Sequence, residues 1–265
     1  MFGRWVEPAW GRKLAAPYVH IVFGARQTGK STLLQRLLPN AAIWLDFSRP
    51  AERADHLRNP DQLIARCRAL ESAKLPPFVV IDEAQAVPAV FDAVQHLYDS
   101  DTKRWRFVLC GSSARKLRVT GANLLPGRSF LHQLYPLLVA ERPFPEAANL
   151  KSAATSPLPL PAVTGVKEPW FPPATLLDRL TFGELPAVVV APAADRPEIL
   201  RAYCLVYLEE ELRREALVKD WAAFARFLQL AAAESGQMLN YAKISRSAGV
   251  SLPTVKNYYQ LIEDM

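Results

Sequence analysis

The 265-residue sequence predicts an α/β protein: a parallel sheet with helices on both faces, followed by a helical domain that ends in a helix-turn-helix. Three observations predict it. Apolar runs bounded by turn residues recur at 19–23, 41–47, 78–82, 106–110 and 130–134, with helical patterns between several of them, as βα units require. A glycine-rich stretch separates the first of these runs from an amphipathic helical pattern. From residue 143 the composition shifts, first to prolines and then to helical periodicity. The implied division is a sheet domain at 1–142, a Pro-rich linker at 143–175 and a helical domain at 176–265.

The first run, Tyr18–Phe23, reads as a buried strand, and Ser31–Leu38 as an amphipathic helix stopped by Pro39. Between them Gly24, Ala25, Arg26, Gln27, Thr28, Gly29, Lys30, Ser31 and Thr32 fit the phosphate-loop pattern GxxxxGK[ST] in its strand–loop–helix setting. Small glycines let the loop's N–H groups curl around phosphates, and the following helix adds the positive end of its dipole. Lys30 supplies a point charge to the β- and γ-phosphates, and the Ser31 hydroxyl is a ligand for Mg²⁺. This pattern points to a nucleoside triphosphate with Mg²⁺ as the bound pair.

The run at 78–82 ends in Asp82 and Glu83, 58 residues after Gly24. Beside a phosphate loop, Asp82 can hold the Mg²⁺ and Glu83 can polarise the attacking water. The alternative is that the two acids cap a helix beginning near Pro88. The next strand-like run closes on Ser112 and Ser113, which can sense the γ-phosphate or orient the water, or serve as helix N-caps. Arg128, on a loop after Gly127, can offset transition-state charge in its own chain or across a subunit boundary, or be a plain surface arginine.

Residues 143–173 hold eight prolines in 31 positions, hence the linker. Residues 196–236 read as two or three helices, with apolar faces at 203–211 and 224–233. Leu239–Leu261 then reads as helix, Gly249 turn and second helix opened by Ser251, with Pro253 in its first turn. Ala242, Ile244 or Ala248, Val250, Val255 and Leu261 form the expected packing face. That leaves Thr254, Lys256, Asn257 and Gln260 on the second helix to touch DNA. A packing or assembly role is the alternative.

The net charge of +6 is all carried by residues 1–200, with 24 Lys/Arg against 18 Asp/Glu. Residues 201–265 balance at 8 against 8, a weak footprint for a DNA reader. The densest basic stretch runs from Lys103 to Arg128, a second candidate surface for nucleic acid or a neighbouring subunit's nucleotide. Three scattered cysteines and four histidines without paired spacing argue against disulfides and a transition-metal site. No run of 18 apolar residues and no signal-peptide pattern occurs, so the expectation is a cytoplasmic protein with no membrane partner.

The blocks at 24–32, 82–88, 111–113, 125–128, 134–137, 183–186, 207–210 and 236–240, taken in this order, resemble the prokaryotic AAA-superfamily ATPases whose P-loop domain precedes a conserved domain of unknown function. The resemblance covers nearly the whole chain. It implies a P-loop NTPase sheet of the ASCE type and ATP binding, with Asp82 and Glu83 at the Walker B positions and Arg128 in the Gly-Arg motif. Pro126 stands where that family usually has a small residue. The chain ends at Met265, where members of the family continue through a wing and a further α/β portion, so the resemblance is to a truncated form. Three functions are consistent with these residues: a Mg²⁺-dependent ATPase that rearranges the helical domain, with turnover weak in a truncated chain, a nucleotide-binding DNA adaptor with little hydrolysis, and a small-molecule P-loop kinase. A homo-oligomer is expected if Arg128 acts in trans.

Overall fold

All five apolar runs form strands. In the computed structural model, which describes residues 2–71, 75–111, 125–145, 171–204, 218 and 220–263, they are β1 (Val19–Phe23), β2 (Ile43–Asp46), β3 (Phe78–Asp82), β4 (Arg106–Gly111) and β5 (Ser129–Gln133). The strands pair in the order β2-β3-β4-β1-β5, and every pairing is parallel. Interleaved are α1 (Glu7–Lys13), α2 (Lys30–Leu37), α3 (Pro50–Arg58), α4 (Gln62–Arg68) and α5 (Ala89–Ser100). Ser112, Ser113, the 203–211 helical face beyond Cys204 and most of the expected linker lie outside the described residues.

Strand alternation divides the core between the two sheet faces. Val19, Ile21, Phe23, Val79, Ile81, Phe107 and Leu109 pack with Leu63 of α4 and Val90, Phe91 and Leu97 of α5. Val22, Val80, Val108 and Cys110, the residues between, pack with Trp10 of α1 and Leu33 and Leu34 of α2. With both faces covered, strands β1, β3 and β4 are apolar over most of their length. Parallel pairing then brings all the strand C-termini to one edge, where the loops carry the chemistry.

The described chain falls into two compact units, Met1–Val190 and Ala191–Met265. The first includes α6 (Leu176–Phe182) and α7 (Pro186–Val190), with Val189 packed against Leu137 and Phe171. The second holds α8 (Arg196–Ala202), α9 (Trp221–Ala233), α10 (Tyr241–Ala248) and α11 (Leu252–Glu263). Asp220 and Asn240 cap α9 and α10, accepting from the N–H groups of Ala223 and Lys243 at 3.0 Å. Gly249 ends α10 at φ 70°, ψ 33°. Phe224, Phe227, Ile244, Ala248, Val255, Tyr258 and Leu261 form this unit's core. Two details of the expected packing face change: Ala242 is exposed, and Tyr258 is buried edge-on against Phe224. No helix among the described residues is long and apolar enough to cross a membrane.

One polar contact sits inside the first core. His20 and His132 occupy adjacent strands, and Nδ1 of His20 lies 2.9 Å from Nε2 of His132, which packs on Trp10. Burial lowers the pKa of both, and that of His132 falls to about 4 through burial and the neighbouring His20 and Lys13. The folded chain therefore binds fewer protons than the unfolded chain below the ordinary value of 6.5. This contribution to stability is complete above pH 6.5 and is lost as the pH falls toward 4. Urea midpoints should decline across that window, and His132→Gln should decline less steeply; equal slopes would contradict neutral burial of the pair.

Candidate functional site

The phosphate loop begins where β1 ends. Leu134 just past β5 donates its N–H to the Phe23 carbonyl at 2.7 Å, so the strand pair runs right up to Gly24. A Cβ on residue 24 would stand 2.2 Å from the Leu134 carbonyl oxygen, which only glycine avoids. At the other end Gly29 takes φ 87°, ψ 26° as the residue before α2, a conformation costing other residues about 1–2 kcal/mol. Gln27 also has a positive φ, 61°. Such residues curl successive N–H groups to one side and form an anion-binding concavity. The Thr28 hydroxyl donates to the Ala25 carbonyl at 2.8 Å and closes the turn.

Lys30 is buried, with Nζ donating to the carbonyls of Gly24 at 2.7 Å and Ala25 at 2.9 Å. Its ammonium thus lies across the concavity. Burial lowers its pKa, with Cys110, Glu83 and Asp82 pulling the other way. Asp82 is buried at the end of β3 and accepts the N–H of Glu83 on Oδ1 at 3.0 Å. Glu83 turns the chain at φ 52°, ψ 40°, and its carboxylate accepts from Nε2 of Gln85 at 2.5 Å. The Gln85 side chain lies over Gly111 at the end of β4, where a Cβ would meet its Oε1 at 2.5 Å. Neither acid caps a helix: α5, preceded by Pro88, has no side-chain cap, and neither does the 3₁₀ turn Ala84–Ala86 after Glu83.

A buried lysine in a glycine-bounded loop and an acid pair thus share one edge of a sheet in which β4 separates β1 from β3. Residues 16–142 match the AAA domain family, and residues 174–265 match a domain of unknown function (DUF8612). The chain is a AAA-type P-loop ATPase family member with a C-terminal domain of unknown function. Two mycobacterial proteins, "Uncharacterized protein Mb2031c" of Mycobacterium bovis and "Uncharacterized protein Rv2008c" of Mycobacterium tuberculosis, are each 27% identical to it over 252 residues. These alignments cover 94% of this chain and 48% of each relative, so the chain spans about half the length of the curated relatives it matches. A solved structure, the Walker-type ATPase PABY2304 of Pyrococcus abyssi, aligns over 98% of this chain and 96% of its own at 14% identity and a TM-score of 0.49.

Within the AAA domain, Ser31 and Thr32 lie in the first turn of α2, half-buried and exposed respectively, beside Lys30. A cavity of about 230 Å³ opens on Thr28, Gly29 and Thr32 and is walled by Phe2, Phe171 and Val190. Arg128 lies elsewhere. Its carbonyl accepts from the Val19 N–H at 3.0 Å, at the start of β1, whereas Gly24 follows the strand's end. The length of a five-residue strand, roughly 15 Å, separates the two ends. Its Nε donates to Asp99 at 2.5 Å. Of the alternatives open for Arg128, the structure does not bring it to its own chain's loop, because parallel pairing puts it at the opposite sheet edge.

Among the described residues of the basic stretch, the side chains of Arg104, Arg106 and Arg128 are engaged. Arg104 donates to the carbonyl of Arg68 at 3.2 Å and stacks on Trp105, while Arg106 donates to the carbonyl of Ala15 at 3.1 Å. Arg115, Lys116 and Arg118 lie outside the described residues. Sequence reading missed Gln85, Arg4 and Glu141. Arg4 and Glu141 form a buried ion pair at 2.7 Å, 137 positions apart, and no local pattern marks either one.

Gly24→Ala should lower unfolding stability by about 1–3 kcal/mol, because the clash is with backbone that cannot rotate away. Urea denaturation checks this; a change below about 0.5 kcal/mol would mean that the loop is not pressed against the end of β5.

Proposed function

We propose that the chain is a Mg²⁺-dependent ATPase in which ATP occupancy or hydrolysis rearranges the appended helical domain. The observation that carries this reading is the convergence of a buried Lys30, Asp82 and Glu83 at one sheet edge. The donor set suits the cation, since the Ser31 hydroxyl and the Asp82 carboxylate are hard oxygen ligands. Bound Mg²⁺ would neutralise charge on the transferred phosphoryl group. The loop's N–H groups and Lys30 bind and orient the β- and γ-phosphates. Glu83, held by Gln85, polarises the attacking water and takes its proton. A glutamate beside the metal-binding acid favours hydrolysis over transfer to a small-molecule acceptor. Arg128, remote from its own loop, acts on the neighbouring subunit's nucleotide in a homo-oligomer.

A second reading is a nucleotide-binding DNA adaptor. The observation favouring it is the α10–Gly249–α11 arrangement, which exposes Lys256, Asn257 and Gln260 on the face of α11 away from Val255, Tyr258 and Leu261. Thr254 is half-buried and bonded to Ser251 at 2.7 Å, which turns it toward the helix start. ATP turnover with and without duplex DNA separates the readings: an ATPase turns over alone, an adaptor binds DNA and hydrolyses little.

ATP with Mg²⁺ should raise the melting temperature by mass action, and Lys30→Ala should abolish the rise. An equal shift in the variant would remove the loop from the site. Glu83→Gln should bind ATP normally and hydrolyse it at least about a hundredfold more slowly, whereas Asp82→Asn should weaken Mg²⁺-dependent binding itself. Mixing Arg128→Ala with Lys30→Ala chains should restore turnover, since one supplies an intact loop and the other an intact arginine. An inactive mixture that still assembles by mass would exclude Arg128 from the reaction.

A further inference from the structure

The phosphate loop is held from outside by a residue that precedes the family match. Arg4 is buried, and its guanidinium meets four acceptors. Nη1 donates to the Thr28 carbonyl at 2.6 Å, Nη2 to the carbonyls of Tyr135 at 2.8 Å and Pro136 at 3.3 Å, and Nε to Glu141 at 2.7 Å. Glu141, fully buried, also accepts the N–H of Trp5 at 2.7 Å and that of Leu138 at 2.8 Å. One ion pair therefore ties the N-terminal segment, the loop and the chain after β5 together.

The peptide unit explains what the contact with Thr28 does. A trans peptide is planar, with C=O and N–H pointing in opposite directions. The carbonyl of Thr28 and the N–H of Gly29 belong to the same unit. Fixing the carbonyl on Arg4 turns the Gly29 N–H the other way, into the phosphate concavity. A cationic donor on the carbonyl also polarises that N–H, as in any hydrogen-bonded chain. Glu141 offsets the charge of Arg4, which keeps the pair neutral inside the protein.

We propose that Arg4 is a positioning residue for phosphate binding, fixing the Thr28–Gly29 peptide and, through Glu141, linking loop occupancy to the 135–141 segment. The proposal rests on the reading of residues 24–32 as the nucleotide loop. Lysine cannot replace this arginine, because a single ammonium lacks the fork that spans Thr28, Tyr135 and Glu141.

The test uses the whole chain with two probes, ATP with Mg²⁺ and inorganic tripolyphosphate, which has no base. Arg4→Lys should weaken both by about tenfold or more, the value of one charge-assisted hydrogen bond, and raise KM for ATP with kcat within about twofold. A folded Arg4→Lys chain that binds both probes as the parent does would overturn the proposal, as would one that loses kcat alone. Hydrogen exchange on the unaltered chain gives an answer even if the variant does not fold. Tripolyphosphate should slow exchange at Gly29, and with it at Trp5 and Leu138, the two backbone donors to Glu141. Protection at Gly29 with none at Trp5 and Leu138 refutes the linkage to the 135–141 segment. No protection at Gly29 itself refutes the nucleotide-loop reading instead.

Discussion

The parallel pairing of β1 with β4 on one side and β5 on the other is the constraint on which the site depends. A strand hydrogen-bonded along both edges and buried on both faces cannot slip by one residue without exchanging the side chains it packs into its two cores. Its last residue, Phe23, is thereby fixed, and so is the start of the loop. Because β3 and β4 run in the same direction, Asp82 and Gly111 end at the same edge as Gly24. Topology places the acids at the same edge as the lysine.

At that edge, burial sets the electrostatics. An ammonium removed from water is costly, and Lys30 offsets this with two loop carbonyls and the nearby carboxylates. Such an arrangement leaves the lysine poised, since an incoming phosphate oxygen is a stronger acceptor than a peptide carbonyl. The backbone strain at Gln27 and Glu83, both at positive φ, falls on the two segments that would face the nucleotide. Gln85 takes up the adjoining space, with its amide on Glu83 and its side chain over Gly111, and so limits the positions open to that carboxylate.

Most of the sheet was legible in the sequence because its strands are short apolar runs punctuated by turn residues, and each of the five expected runs became a strand. The loop was legible for the same reason: its chemistry lies in contiguous residues. Tyr258 and Ala242 were misplaced because an amphipathic pattern does not say how an aromatic ring will settle against a neighbouring helix. Arg4, Glu141 and Gln85 carry no local signature. Their roles depend on separations of up to 137 residues, which periodicity does not encode.

Arg128 shows how direction, more than distance along the chain, decides a role. In sequence it follows the acids and a glycine, as a residue reaching the γ-phosphate would. In space, its carbonyl pairs with Val19, and β5 must run its whole length before Leu134 arrives beside Gly24. Reversing that would require β5 to run antiparallel, which would bury Phe130 and expose His132 only if the register slipped as well. The parallel sheet therefore presents one edge with the phosphate loop and the acids, and the opposite edge with an arginine. Under the proposed ATPase reading, Arg128 would reach a nucleotide only on a second copy of the chain, because its own loop lies at the far end of β1, and such a contact would be head-to-tail.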